Sequence, residues 1–342
     1  MLYILTLLLV LISSCGPLVS SPTAPVGARQ AISSSQQTVV WPVPPEEARI
    51  KFLHAFRDPK DLDFPVSILK RLKRFILGER DHGMIRPYSI AVDGDVIAVV
   101  DPGARVLHYF DLSKKKYKRI TGAGGDLFLS PVGVAIGGDK IYLSDSASGK
   151  VYALDHKGRH LFTIEDAARP TGLAFEKKTS RLYVADTLSF RIYAYDQRGK
   201  RLFSFGKRGN GAGEFNYPTH LFLKGDTLIV NDTMNFRVQA FDLQGNHLFS
   251  LGKHGDGSGE MAQPKGVGID SEGHIYVADA LSDRVQIFDT QGRFLLAFGN
   301  SGNAAGEFWL PAGLFITRDR IYVADSYNRR IQVFQFLGGE QR

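Results

Sequence analysis

Along most of the chain, apolar and polar residues alternate in short runs rich in Val, Ile, Tyr and Phe, each run cut by Gly, Asp or Asn. A period of two bounded by such breakers predicts short antiparallel strands joined by tight turns. The pattern also repeats on a longer scale. One segment recurs as Ile97–Asp111, Ile141–Asp155, Leu182–Asp196, Leu228–Asp242, Ile275–Asp289 and Ile321–Gln335. Its shared aspartates, Asp101, Asp145, Asp186, Asp232, Asp279 and Asp325, follow one another at intervals of 41 to 47 residues. A series of prolines, Pro87, Pro131, Pro170, Pro218, Pro264 and Pro311, keeps step with them. Two independent markers in phase predict six copies of one structural unit.

The fifth copy resolves into four strands, Gly266–Asp270, Ile275–Ala278, Arg284–Phe288 and Phe294–Phe298, named a to d in chain order. Four strands in 40 to 48 residues are the signature of a propeller blade, so the fold class is all-β, a six-bladed β-propeller over residues 49–338. The sixth copy runs out of chain before its strand d. Arg49–Phe56 carries the d pattern ahead of the first strand a, and it should complete blade six and close the ring. Closure removes exposed sheet edges. The longest connection, 57–86, holds a stripe of Val66, Ile68, Leu69, Leu72, Phe75 and Ile76 at helical spacing with basic residues between, which predicts an amphipathic helical insertion.

Pro264-Lys265-Gly266-Val267, then Ile275-Tyr276-Val277-Ala278-Asp279, then Arg284-Val285-Gln286-Ile287-Phe288 resemble NHL repeats. The loops from Phe205-Gly206 to Gly213-Glu214-Phe215 and from Phe298-Gly299 to Gly306-Glu307-Phe308 fit the same family. The resemblance spans Arg49 to Phe336 and implies NHL-type four-stranded blades. It implies no single activity, because NHL propellers serve as protein- and RNA-binding modules, as sensor domains and, in one branch, as an amidating lyase.

Ahead of the repeats the composition changes. Met1 to Ile12 is almost wholly apolar yet too short to span a bilayer as a helix, and it reads as the core of a signal peptide over residues 1–14. Ile12-Ser13-Ser14-Cys15 resembles the bacterial lipobox, which implies lipid attachment at Cys15. Residues 15–48 are rich in Ser, Pro and small residues, and read as a flexible tether. Localisation is then the bacterial cell envelope, exported and lipid-anchored on the periplasmic or extracellular side. With one cysteine in 342 residues, no intramolecular disulfide and no multi-cysteine metal site can form. The balance of 42 Lys+Arg against 35 Asp+Glu favours anionic surfaces, but export argues against nucleic acid as partner.

Strand parity puts the b–c hairpins, the d–a loops and the residues after each proline on one face, called the top. The a–b and c–d turns form the bottom, where Lys114, Lys115 and Lys116 could meet anionic lipid. Each hairpin aspartate precedes a basic residue by four or five positions, which suggests a structural pair across the hairpin. The Gly-rich loops Gly206–Pro218, Gly252–Pro264 and Gly299–Pro311 read as connectors rather than phosphate cradles, since no helix follows them.

A ligand site has to break the sixfold pattern. Two residues after each proline stand Ser89, Gly133, Gly172, His220, Gly266 and Gly313, so His220 alone puts a large polar group at the channel mouth. Tyr88, Ser89, Thr171 and Lys265 complete the candidate ligand-binding set on the top face. Of the histidines in top-face segments, His82, His220 and His254, no three belong to neighbouring blades, so neither a metal nor another cofactor is expected. The reading that follows is a non-catalytic, membrane-tethered binding or scaffold propeller whose top face recognises a protein or glycan, with no catalytic residue assigned. The alternative is a propeller enzyme, a lyase or lactonase-like hydrolase, with its site near His220.

Overall fold

Six antiparallel sheets, five of them built from consecutive strands, account for the six repeats. The structure, a computed structural model, describes residues 38–64 and 83–338. Blade one is Ser89–Asp93, Val96–Asp101, Val106–Asp111 and Lys116–Ile120; blades two to five repeat the same a-b-c-d order. In blade five the strands run Pro264–Ile269, Ile275–Asp279, Arg284–Phe288 and Phe294–Phe298, close to the spans expected from the sequence. Blade six consists of Pro311–Thr317, Arg320–Asp325 and Arg330–Phe336, and its strand d is Ile50–Phe56 from the other end of the chain. Ile50 pairs with Phe336 and Phe56 with Ile331, so the expected closure is present.

Strands b and c are buried on both faces because each blade packs against two neighbours. The apolar clusters accordingly sit between blades: Ala98, Leu107 and Tyr109 of blade one meet Ile141, Leu143 and Leu154 of blade two. Outer strands d keep one wet face, as in His160–Ile164, where only Ile164 is buried.

One difference from the sequence reading concerns the tether. Val40 and Trp41, assigned to the tether, form a fifth strand on Lys51 and Ile50. Trp41 sets its indole 5.7 Å from the ring of Phe298 and 5.8 Å from that of Phe334, so an apolar anchor holds this segment to blades five and six. Of the 57–86 connection, the described part is a short 3-10 turn, Pro59–Leu62, capped by Asp58, and the buried Phe64 and Met84 that pack toward blade one. The expected helical stripe from Val66 to Ile76 lies outside the described residues, as do the signal peptide and Cys15.

Candidate functional site

The hairpin aspartates have a structural task. Asp145 accepts the amides of Leu129 (2.6 Å) and Ser130 (3.0 Å), and Asp279 accepts those of Ala262 and Gln263, so each carboxylate ties its hairpin to the preceding d–a loop. The expected pair across the hairpin forms in blades four and six, as Arg237 to Asp232 (2.9 Å) and Arg330 to Asp325 (2.7 Å). Elsewhere the basic residue has other partners. Lys150 pairs with Asp126 and Glu165, and Arg284 donates to the carbonyls of Asp256 and Gly257. In blade one, His108 lies 3.4 Å from Asp101.

Those arginines explain the Gly-rich loops. Arg330 reaches the carbonyls of Asn303, Ala304 and Glu307, and Gln332 donates to the Glu307 carbonyl while accepting from the Gly306 amide. The Glu307 carboxylate accepts the Ala304 amide, and Phe308 is fully buried. These loops turn carbonyls toward a guanidinium, the reverse of a phosphate cradle, which needs converging N–H groups.

Glycine two positions after the proline follows from crowding at the axis. A Cβ on Gly133, Gly172 or Gly313 would overlap the backbone of the next inner strand, at Thr171, Thr219 and Tyr88 respectively. Side chains stitch the same belt: Asn231 donates to the Pro264 carbonyl (2.8 Å) and Thr187 to that of Pro218 (2.7 Å). Thr171 belongs to this belt. Its hydroxyl lies 2.9 Å from that of Thr187 and donates to the Ala185 carbonyl, which gives it a structural environment.

Blades one and four lack that glycine, and there Tyr88, Ser89, His220 and Lys265 gather. Tyr88 lies with its ring centroid 5.3 Å from that of His220, and the Lys265 ammonium sits 5.7 Å from the centre of the Tyr88 ring. His220 is 7% exposed. Its Nδ1 is 3.3 Å from the Thr219 hydroxyl, which Asn231 and Thr233 hold in place, and its Nε2 has no hydrogen-bond partner. Burial, reinforced by the Lys265 charge, pushes the imidazole down to about 3, so it is neutral at physiological pH. Burial and the nearby Arg86 also lower Lys265, and burial raises Tyr88 against the pull of Arg169. No carboxylate pairs with Arg86, Arg169 or Lys265 among the described residues, so the mouth is cationic.

Below His220 the inner strands enclose a cavity of about 300 Å³. Ser89, Gly172 and His220 border its upper end, Phe175, Phe222 and Phe315 its middle, and Asp93, Lys177, Lys224 and Arg318 its lower rim. Lys177 pairs with Asp93 (2.7 Å) across that rim. Among the described residues no group of three His, Cys, Asp or Glu could hold a metal. His254 packs on Phe236 instead (4.2 Å between ring centres), and His82 lies outside the described residues.

The top face also carries an arc of apolar side chains. Two positions after each hairpin aspartate stand Gly103, Ala147, Leu188, Met234, Leu281 and Tyr327: small in blades one and two, large in blades three to six. Met234 is 51% and Leu281 62% exposed, and Trp309, 52% exposed, lies 5.5 Å from Tyr327 between ring centres. Arg86 stacks over Tyr327 at 5.2 Å. Among the described residues the bottom turns expose one large apolar side chain, Val43. The size series at this hairpin position was readable in the repeats.

Comparison with known proteins places the chain more closely. A family model described as SMP-30/Gluconolactonase/LRE-like region matches residues 75–210 and 220–298, more than half of the chain, and one described as a 6-bladed beta-propeller matches residues 271–341. No curated protein matches the sequence. Among solved structures, a streptogramin B lyase superposes with a TM-score of 0.56 at 13% identity, covering 75% of this chain and 95% of its own. A virginiamycin B lyase from Staphylococcus aureus gives 0.53 at 14% identity, over 74% and 96%. An auxiliary nutrient binding protein from Bacteroides thetaiotaomicron gives 0.58 at 15%, over 75% and 71%. At such identities the likeness is one of fold, shared by lyases and binding proteins alike. With more than half of its length matched, the chain belongs to the SMP-30/Gluconolactonase/LRE-like family, on a six-bladed β-propeller.

Proposed function

We propose that this protein is a non-catalytic binding propeller with NHL-type blades, exported and held to a bacterial envelope membrane through lipid on Cys15, whose top face docks a partner protein. The observation that carries this reading is the arc of Leu188, Met234, Leu281, Trp309 and Tyr327 beside the cationic mouth of Arg86, Arg169 and Lys265. Exposed aliphatic and aromatic side chains next to arginines are the composition of a protein-binding patch. Leu188, Met234 and Leu281 offer a hydroxyl-rich glycan no hydrogen bonds, which favours a protein over a glycan. Cations with no carboxylate partner among the described residues call for a partner with an apolar surface and at least one carboxylate for the mouth.

The enzymatic reading has less support. A general base works best with a pKa near the operating pH, and His220 is far below it, with no carboxylate among the described residues bonded to it. Kinship with lyases and gluconolactonase-like proteins is equally compatible with a propeller that binds.

The test is a photocrosslinking scan of the full chain in its native envelope, with a photoreactive residue at Met234, Leu281, Lys114 or Asp226. A discrete protein adduct from the two top positions alone is expected. Equal adducts from both faces, or none from the top, would remove the docking assignment.

A further inference from the structure

The two positions flanking each of the six repeat prolines form the rim of the top mouth. They hold Arg86, Arg169 and Lys265, from blades one, three and five, and not one Asp or Glu. Alternate blades thus each bring one cation. The described glutamates of the neighbouring loops are engaged elsewhere: Glu165 with Lys150, Glu214 with Lys207 and Glu260 with Lys253. Asp186 accepts the Arg169 backbone amide rather than its guanidinium. At the centre lies Tyr88, its ring centre 5.3 Å from that of His220 and 5.7 Å from the Lys265 ammonium, and its hydroxyl has no hydrogen-bond partner among the described residues. Besides burial, the Arg86 charge lowers Lys265, and the Arg169 charge opposes the rise that burial gives Tyr88, so both guanidiniums act on the central groups. Arg86 also stacks over Tyr327 at 5.2 Å, which joins the mouth to the apolar arc. Like charges gathered without a counter-ion repel, and a bound anion relieves that repulsion.

We infer that the mouth takes an acidic segment of the docked partner, one that presents two or more carboxylates within a few residues beside its apolar side chains. The inference rests on the docking reading and names what the partner must carry. Three cations facing no acid exceed the charge of a single carboxylate. A guanidinium donates two parallel bonds to one carboxylate, and the Tyr88 hydroxyl has a further bond to donate. The cations are turned to different rings, Lys265 to Tyr88 and Arg86 to Tyr327, which suits acids spaced along a chain better than one compact anion. Arg86 and Arg169 are exposed, so a segment laid across the arc reaches them without entering the channel. A free small polycarboxylate is the competing occupant.

The experiment uses tricarballylate, a compact tricarboxylate, as probe on the full chain, with propionate and glycerol as controls. Titration of wild-type protein with tricarballylate should shift the Tyr88 ring NMR signals saturably at millimolar probe or below, and added sodium chloride should weaken the binding. Arg169→Gln and Lys265→Gln should each weaken it about tenfold, the worth of one charged hydrogen bond. Lys207→Gln, which removes a top-face cation already paired with Glu214, should leave it unchanged. In native envelopes, saturating tricarballylate should suppress the photocrosslinks from Met234 and Leu281. No saturable shift in wild type, or equal weakening in Lys207→Gln, overturns the inference. Adducts that persist undiminished at saturating probe overturn it alone, and leave the free polycarboxylate as occupant. Adducts absent from the wild type without probe remove the docking reading and this inference together.

Discussion

Tyr88 and His220 lie 132 residues apart in sequence and face each other across the axis of the propeller, their rings 5.3 Å apart. Blades one and four are opposite members of a ring of six, and only these two lack the crowding glycine two positions after the proline. Side chains therefore fill the mouth from both sides. The contact separates the top face from the cavity below it.

Neutral burial of His220 makes stability depend on pH. Its folded pKa, about 3, lies below the unfolded 6.5, so the unfolded chain binds the proton more readily. The contribution is complete above pH 6.5 and is lost as pH falls toward 3. At pH 5 the loss is about 2 kcal/mol. Chemical unfolding at pH 7.5 and pH 5 should show that drop in wild type and a clearly smaller one in His220→Leu; equal slopes would contradict the burial of a neutral imidazole.

Arg330 carries more than its charge suggests. Its side chain and that of Asp325 are almost completely buried, and burial already raises Asp325 despite bonds from the Trp309 amide, Asn328 and Arg330. Arg330→Ala strands that carboxylate and frees three loop carbonyls, at a cost of about 3–5 kcal/mol. Arg191→Ala, which removes an exposed side chain with one bond to Ser204, should change stability by about 0.5 kcal/mol or less. Denaturant midpoints that fall equally in both variants would refute the loop clamp.

Closure of the ring rests on the strand from the other end of the chain. Phe56 is buried and packs edge to face on Phe110 of blade one at 5.6 Å, so it joins blade six to blade one. Phe56→Ala should cost about 3–5 kcal/mol, and removal of residues 49–56 should abolish the cooperative melt. A truncated protein with the wild-type melting transition would mean that the ring closes without this strand.

The anchoring proposal is tested separately. Cys15→Ser should move the protein from the membrane fraction to the soluble fraction of the envelope, with the propeller melting as before. Retention of the variant in the membrane would overturn lipid attachment as the anchor.

The aspartate and proline series made blade number legible in the sequence, and the strand-d pattern of Arg49–Phe56 made closure legible. Each marks a recurring structural position, since the carboxylate staples hairpin to loop and the proline opens the inner strand in blades two to six. The partners of Arg237, Arg284 and Arg330 were not legible, because they are backbone carbonyls of a loop and carry no side-chain signature. Trp41 showed the opposite failing: an aromatic residue within a Ser- and Pro-rich tract was itself the sign of an ordered anchor. His220 stood out by breaking the pattern, but its contact with Tyr88 depends on the ring bringing distant blades together. The apolar arc is legible as a size series at the second position after each hairpin aspartate.

The central claim, a partner protein docked on the arc, is tested most directly by affinity capture from native envelopes after mild crosslinking, comparing wild type with a Leu281→Ser, Trp309→Ala double variant and with a bottom-face Lys177→Ser variant. One protein recovered at stoichiometric level with wild type and Lys177→Ser, and lost with the double variant, is the predicted result. Recovery of the same protein at the same level with all three would contradict it.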